Sequence, residues 1–138
     1  MRPTVGITTV AVIVKKNREG RRSRVVEFLV DSGAVYSVVS ARILRELGCK
    51  PYRSKDFFLA DGSKVTRRIG DAYFEYKDIG GPSPVIFGEV RDRNLLGVTT
   101  LEALELVLDP FRQELRPMTM NLMGAVPNYS TRGRRPKL

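Results

Sequence analysis

The segment Phe28-Leu29-Val30 runs straight into Asp31-Ser32-Gly33-Ala34, so an apolar, strand-forming stretch ends on an acid, a hydroxyl and a glycine. An apolar run bounded by turn residues reads as a buried strand. A carboxylate at the end of such a strand is expected at the base of a cleft, where burial makes charge costly. Ser32 can hydrogen-bond backbone across a tight junction, and Gly33 lets a substrate or a neighbouring chain approach closely.

What chemistry that acid can join is narrowed by what the chain lacks. It has no histidine and one cysteine, Cys49. Ser-His-Asp and Cys-His mechanisms and most zinc sites are therefore excluded, and so is an internal disulfide framework. Cys49 follows Gly48 at an expected helix end and reads as a small packing residue. Hydrolytic chemistry, if this chain performs any, rests on carboxylates. No cofactor and no metal is expected.

A second signal follows about sixty residues after the acid: Asn94-Leu95-Leu96-Gly97, then Val98-Thr99-Thr100-Leu101-Glu102-Ala103-Leu104. Asp-Ser-Gly alone is ordinary turn chemistry. Asp-Ser-Gly-Ala after an apolar strand, with Leu-Leu-Gly at that distance, resembles the retropepsin-like aspartic proteases (clan AA), in their cellular or prokaryotic single-domain branch. The resemblance runs over about residues 4 to 116.

It implies a mainly β fold: a closed β-barrel of the acid-protease type with one or two short helices, a flap hairpin and a homodimer. It makes Asp31 the catalytic acid. Ser32, Gly33, Ala34 and Gly97 support the active-site loop, with Gly97 packed beneath Asp31. Phe58, Leu59, Ala60, Asp61, Gly62 and Ser63 form the flap over bound peptide. The chain has 138 residues and one apolar-Asp-Ser-Gly segment. It is too short for the two-lobed arrangement that carries both acids, so the second acid of a pair must come from another copy. Asp61 is rejected as that second acid, because a hairpin tip is a poor place to hold a rigid dyad. Retroviral members carry Asp at the position of Val35 and Arg at that of Val98, and mostly Thr at that of Ser32. These departures point away from the viral branch and its substrate rules.

The remaining chain reads as follows. Val5 to Lys16 is a β-branched strand, Asn17 to Gly20 a turn, and Arg24 to Val30 the returning strand. Ser40 caps a short helix that Gly48 ends, with Ile43, Leu44 and Leu47 packed on the sheet and Arg42, Arg45 and Glu46 in water. Phe57 to Leu59 and Lys64 to Thr66 flank the Asp61-Gly62 turn. Ala72 to Tyr76 is a strand with core aromatics, Lys77 to Pro84 a loop, and Val85 to Val90 a strand. Leu101 to Leu104 is a short helix. Leu106 to Leu108 and Glu114 to Arg116 pair around Asp109-Pro110. Met118, Met120, Leu122 and Met123 alternate as a possible terminal strand. Residues 1–124 are expected to form one domain and residues 125–138 a basic, disordered tail.

The net charge of +9 raises the prospect of nucleic acid or an anionic membrane. The basic residues gather in the Lys15 to Arg24 turn and the tail, without interleaved aromatics, and read as solvated. Nucleic acid is not expected as a partner on this reading. No run is long enough to span a membrane, and Thr4 to Val14 lacks a cleavage site, so a cytoplasmic location is expected. The functional expectation is an aspartic endopeptidase acting as a homodimer on peptide or protein. The alternatives are an inactive retropepsin-like dimerisation or peptide-binding module, and a basic nucleic-acid-binding β-domain.

Overall fold

The computed structural model describes residues 7–119. Nine strands and two short helices are found among them: β1 (Thr8–Lys15), β2 (Ser23–Val30), β3 (Ser37–Ser40), α1 (Ala41–Glu46), β4 (Arg53–Phe58), β5 (Lys64–Tyr76), β6 (Ile79–Gly88), β7 (Leu95–Leu96), α2 (Val98–Ala103), β8 (Leu106–Asp109) and β9 (Glu114–Pro117). The fold is mainly β. Seven strands form one sheet in the order β1-β2-β7-β3-β6-β5-β4, and β1 also pairs with β5. The last two strands make a separate hairpin.

The alternation in β1 sets the inner face. Thr8, Val10, Val12 and Val14 are buried, and β2 answers with Val26, Phe28 and Val30 in antiparallel register, Val12 opposite Val26 and Val10 opposite Phe28. Phe28 and Phe74 meet in a tilted pair with ring centroids 6.1 Å apart, both fully buried. Around them lie Val39, Leu44, Val85, Phe87, Leu96 and Leu104. The β8–β9 hairpin adds Leu106 and Leu115 to the same core.

α1 packs as its spacing requires: Leu44 and Leu47 are buried, Ile43 lies against the core, and Arg42, Arg45 and Glu46 are exposed. Ser40 occupies the N-cap position without a side-chain cap hydrogen bond; its own N–H is instead taken by Asn94 Oδ1 at 2.9 Å. The C-terminus closes as a Schellman motif. Gly48 N–H donates to Arg45 O at 3.0 Å, Cys49 N–H donates to Leu44 O at 2.9 Å, and Gly48 takes φ +92°. Cys49 is free and buried, and burial pushes its thiol pKa up, away from reactivity.

One segment departs from expectation. Lys77 to Pro84 is not a loop. Lys77 and Asp78 alone turn, with Lys77 at φ 56°, and the chain returns at once as β6. The glycines and prolines that read as loop signals are strand residues with local reasons. Gly80 lies against the Tyr73 ring, where an added Cβ would stand 2.7 Å from the hydroxyl. Pro82 and Pro84 are two apart, so their missing N–H groups fall on one side of the strand, and β3 pairs on β6 only from Val85 onward. α2 also begins earlier than the leucine spacing predicts, at Val98. Val5, Met120, Leu122, Met123 and the expected tail at 125–138 lie outside the described residues.

The Schellman geometry yields a test. Gly48→Ala should lower the unfolding free energy by about 1 kcal/mol, because the left-handed conformation disfavours a Cβ. Urea titration followed by circular dichroism measures it; an unchanged midpoint would mean that the helix end relaxes freely.

Candidate active site

Asp31 follows the last residue of β2 and continues its ladder. β2 pairs parallel with β7, Val30 opposite Leu96, and Asp31 N–H donates to Leu96 O at 3.0 Å. The chain then turns tightly: Ala34 N–H donates to Asp31 O at 3.1 Å, and Gly33 N–H donates to Asp31 Oδ1 at 2.9 Å. That second bond fixes one carboxylate oxygen against its own loop. The loop is docked next on the start of α2. Val98 N–H donates to Ala34 O at 2.8 Å and Thr99 N–H to Val35 O at 2.9 Å.

Gly97 makes this docking possible. A Cβ there would stand 2.6 Å from both the carbonyl carbon and oxygen of Tyr36, and 2.9 Å from Ala34 O. All three are backbone atoms, so nothing can swing aside. Gly97 therefore packs against the backbone of Ala34 and Tyr36, the far limb of the Asp31 loop. The expected burial of the acid is not found in the single chain: Asp31, Ser32 and Gly33 are exposed, Ala34 is half-buried, and Val35 is 63% exposed. The described residues do not supply walls that would bury the carboxylate.

Beneath the loop lies a chain of buried hydroxyls. Gly97 N–H donates to Ser37 Oγ at 2.9 Å, Ser37 Oγ lies 2.5 Å from Thr100 Oγ1, Thr100 Oγ1 lies 2.8 Å from Ser83 Oγ, and Ser83 Oγ–H donates to Pro84 O at 3.1 Å. An amide can only donate and a carbonyl can only accept. The three hydroxyls between them are consequently polarised in one direction, each accepting from the side of Gly97 and donating toward Pro84. Ser37, Ser83 and Thr100 are all buried. Sequence reading missed this set. Its one visible signal was a serine at the inward position of β3, in step with Val39, where an apolar residue is the rule. Asn94 was also missed: its carbonyl takes Leu29 N–H at 3.0 Å while its side chain holds Ser40. It thereby links β2 to β3.

The flap-like hairpin joins β4 to β5, with Phe58 opposite Lys64. Its tip closes through Leu59 N–H to Ser63 O at 2.8 Å and Gly62 N–H to Leu59 O at 2.9 Å, with Gly62 at φ +88°. Asp61 Oδ1 accepts from both Ser63 Oγ at 2.6 Å and Ser63 N–H at 2.9 Å, and these bonds hold its carboxyl below the usual range. Asp61 is thus a turn-former. A cavity of about 410 Å³ lies under the hairpin, lined by Phe57, Leu59, Val38, Val65, Ile86 and Leu95 and edged by Arg67, Arg91, Asp92 and Arg93. Phe57 and Leu59, two apart, face it. Phe58 between them is 73% exposed on the other face, as a period of two demands. Ala60, Asp61, Gly62 and Ser63 are exposed at the tip, and Asp31 is not among the lining residues. Phe57 also meets Tyr36 of the Asp31 loop edge-on, with centroids 6.2 Å apart.

Arg67 ties β5 to the loop before β7. Its Nε and Nη2 donate to Asp92 Oδ2 and Oδ1 at 2.7 and 3.0 Å, a two-pronged pair. The guanidinium bonds hold the Asp92 carboxyl below its usual range, and the same pairing pushes Arg67 up. No sequence signal marked this pair, because its members lie 25 residues apart without a shared motif.

No family model and no curated protein matches the chain. Among solved structures, the crystal structure of a retropepsin-like aspartic protease from Rickettsia conorii is similar at 21% identity, covering 78% of this chain and 88% of that one with a TM-score of 0.43.

Two measurements test the site's construction. Thr100→Val keeps the shape but orphans Ser37 and Ser83, and should cost about 1–3 kcal/mol by urea titration, whereas Thr100→Ser should retain most of the stability. For Arg67–Asp92, a carboxyl whose folded pKa is depressed stabilises above its unfolded pKa. That contribution is lost as pH falls through the folded value. The stability gap between the native protein and Asp92→Asn should therefore be constant, at about 1 kcal/mol, above about pH 5 and shrink below about pH 4. A gap that persists at lower pH would show that Asp92 acts otherwise.

Proposed function

We propose that the chain is an aspartic endopeptidase that works as a homodimer, with Asp31 of each copy forming one dyad. The observation that carries this reading is the Asp31 loop. One oxygen of an exposed carboxylate is held by the Gly33 amide, and the loop that carries it is docked on the Leu96–Thr99 backbone, on a surface that the described residues leave open. A surface acid on an ordinary edge hairpin has no need of such fixation.

Two such loops meeting across a twofold axis would set their carboxylates face to face, where they share one proton. The ionised member acts as general base on water, and the protonated one polarises the scissile carbonyl. No metal, cofactor or covalent intermediate is required. Peptide would lie extended under the hairpin, adding backbone hydrogen bonds in the manner of a strand, with apolar side chains against Phe57, Leu59, Val65 and Ile86. Ser32, exposed beside Asp31, would bond across the interface, and Val35 would be covered by it.

The deciding experiment is cleavage of a broad peptide library at several mildly acidic pH values, native against Asp31→Asn, with light scattering for mass. Activity that resides in the dimer and vanishes in Asp31→Asn supports the reading. The coupled pair should give an acidic optimum, and a flat profile from about pH 4 to about pH 9 contradicts it. A dimer that binds peptides without cleaving any supports an inactive peptide-binding module instead.

A further inference from the structure

A second cavity, of about 550 Å³, lies between α1, β5, β6 and the loop that follows β6. Arg42, Arg45, Arg67, Arg68 and Arg91 line it against only two acids, Glu89 and Asp92, a surplus of three positive charges. Asp92 is already committed to Arg67. Arg42, Arg45, Arg68 and Arg91 make no ion pair and no side-chain hydrogen bond among the described residues. All fifteen Asp and Glu of the chain fall between Glu19 and Glu114, within the described range.

Guanidinium groups gathered around one concavity repel one another unless an anion joins them. Elsewhere in this chain arginines do find partners: Arg24 with Glu46, Arg112 and Arg116 with Asp109. We propose that this cavity is a binding site for a compact polyphosphate group, of the kind carried by a nucleoside di- or triphosphate. Planar, multi-pronged guanidinium donors suit phosphate oxygens. A single carboxylate would leave most of the surplus uncompensated, whereas a di- or triphosphate, with about three negative charges near neutral pH, matches it. A nucleic-acid backbone spreads its charges along a strand, whereas these five arginines line a single cavity. The site is separate from Asp31, so it does not depend on the proteolytic reading. It borders the flap cavity through Arg67, Arg91 and Asp92, which line both.

The test uses the full chain and isothermal titration with sodium tripolyphosphate at fixed ionic strength, with sulfate as control. Saturable one-to-one binding is expected. Arg42→Gln with Arg68→Gln should weaken it by about tenfold or more, and so should Arg91→Gln alone to a lesser degree. Arg42 and Arg68 are exposed and unbonded, so the fold is retained, as circular dichroism will verify. Arg21→Gln with Lys77→Gln, which removes two charges outside the cavity, should leave the affinity within about twofold. Equal weakening by both double variants, or no saturation above the sulfate control, overturns the proposal. So does a twelve-nucleotide single strand that binds more tightly than tripolyphosphate and loses affinity equally in both double variants. Comparing ATP with AMP then reads whether the di- or triphosphate is the recognised group.

Discussion

Everything around Asp31 depends on one close approach. At Gly97 the backbone of the α2 start comes within reach of the Tyr36 carbonyl only because no side chain intervenes. That contact lets three backbone hydrogen bonds, from Asp31, Val98 and Thr99, fix the acid-bearing loop without the help of any side chain. The hydroxyl chain below fulfils the complementary role. Burying three side-chain hydroxyls is costly unless each donates and accepts, and the fixed ends at Gly97 and Pro84 satisfy all three in a single sense. The loop is therefore rigid for two separate reasons, one steric and one polar, and both converge on Gly97.

Much of this was legible beforehand where a local rule coincided with the tertiary arrangement. The alternation of Val10, Val12 and Val14, the Leu44–Leu47 face of α1, the Gly48 terminus and the Asp61-Gly62 turn all follow from residues near one another in sequence. The reading of Lys77 to Pro84 failed because Gly-Gly-Pro-Ser-Pro is a strong breaker signal locally. What overrides it is a neighbour: the Tyr73 ring occupies the space above Gly80, and the prolines sit where β3 does not yet pair. Within the site, Asp31, Gly33 and Gly97 carry motifs. Ser37, Ser83, Arg67 and Asp92 do not, and Asn94 and Thr100 lie in the Leu-Leu-Gly segment without a local sign of their role; each of the six acquires that role from a partner 17 to 63 residues away.

The charge of the chain also takes on a different meaning in three dimensions. Counted along the sequence, the basic residues cluster in the Lys15 to Arg24 turn and the tail. In the fold, the turn arginines partly neutralise themselves on α1: Arg22 reaches the Glu46 carbonyl and Arg24 its carboxylate. Among the described residues an unneutralised concentration lies elsewhere, on arginines that are scattered in sequence and line one cavity only when α1, β5 and the β6–β7 loop are assembled.

β5 has a mechanical consequence. It runs without interruption for 13 residues, roughly 40 Å, from the hairpin tip at Lys64 to the core at Tyr76. Its first four residues, Lys64 through Arg67, are paired with β4 alone, and β6 joins it from Arg68 onward. The hairpin is thus a cantilever rather than a door: there is no break in the strand to serve as a hinge, and its root is clamped beside Gly70, which is wedged between the Lys50 carbonyl and the Phe87 ring. Displacement of the tip must be absorbed as bending spread along the overhang, and Arg67, bonded to Asp92 at the point where the overhang leaves the sheet, sets the length that is free to bend.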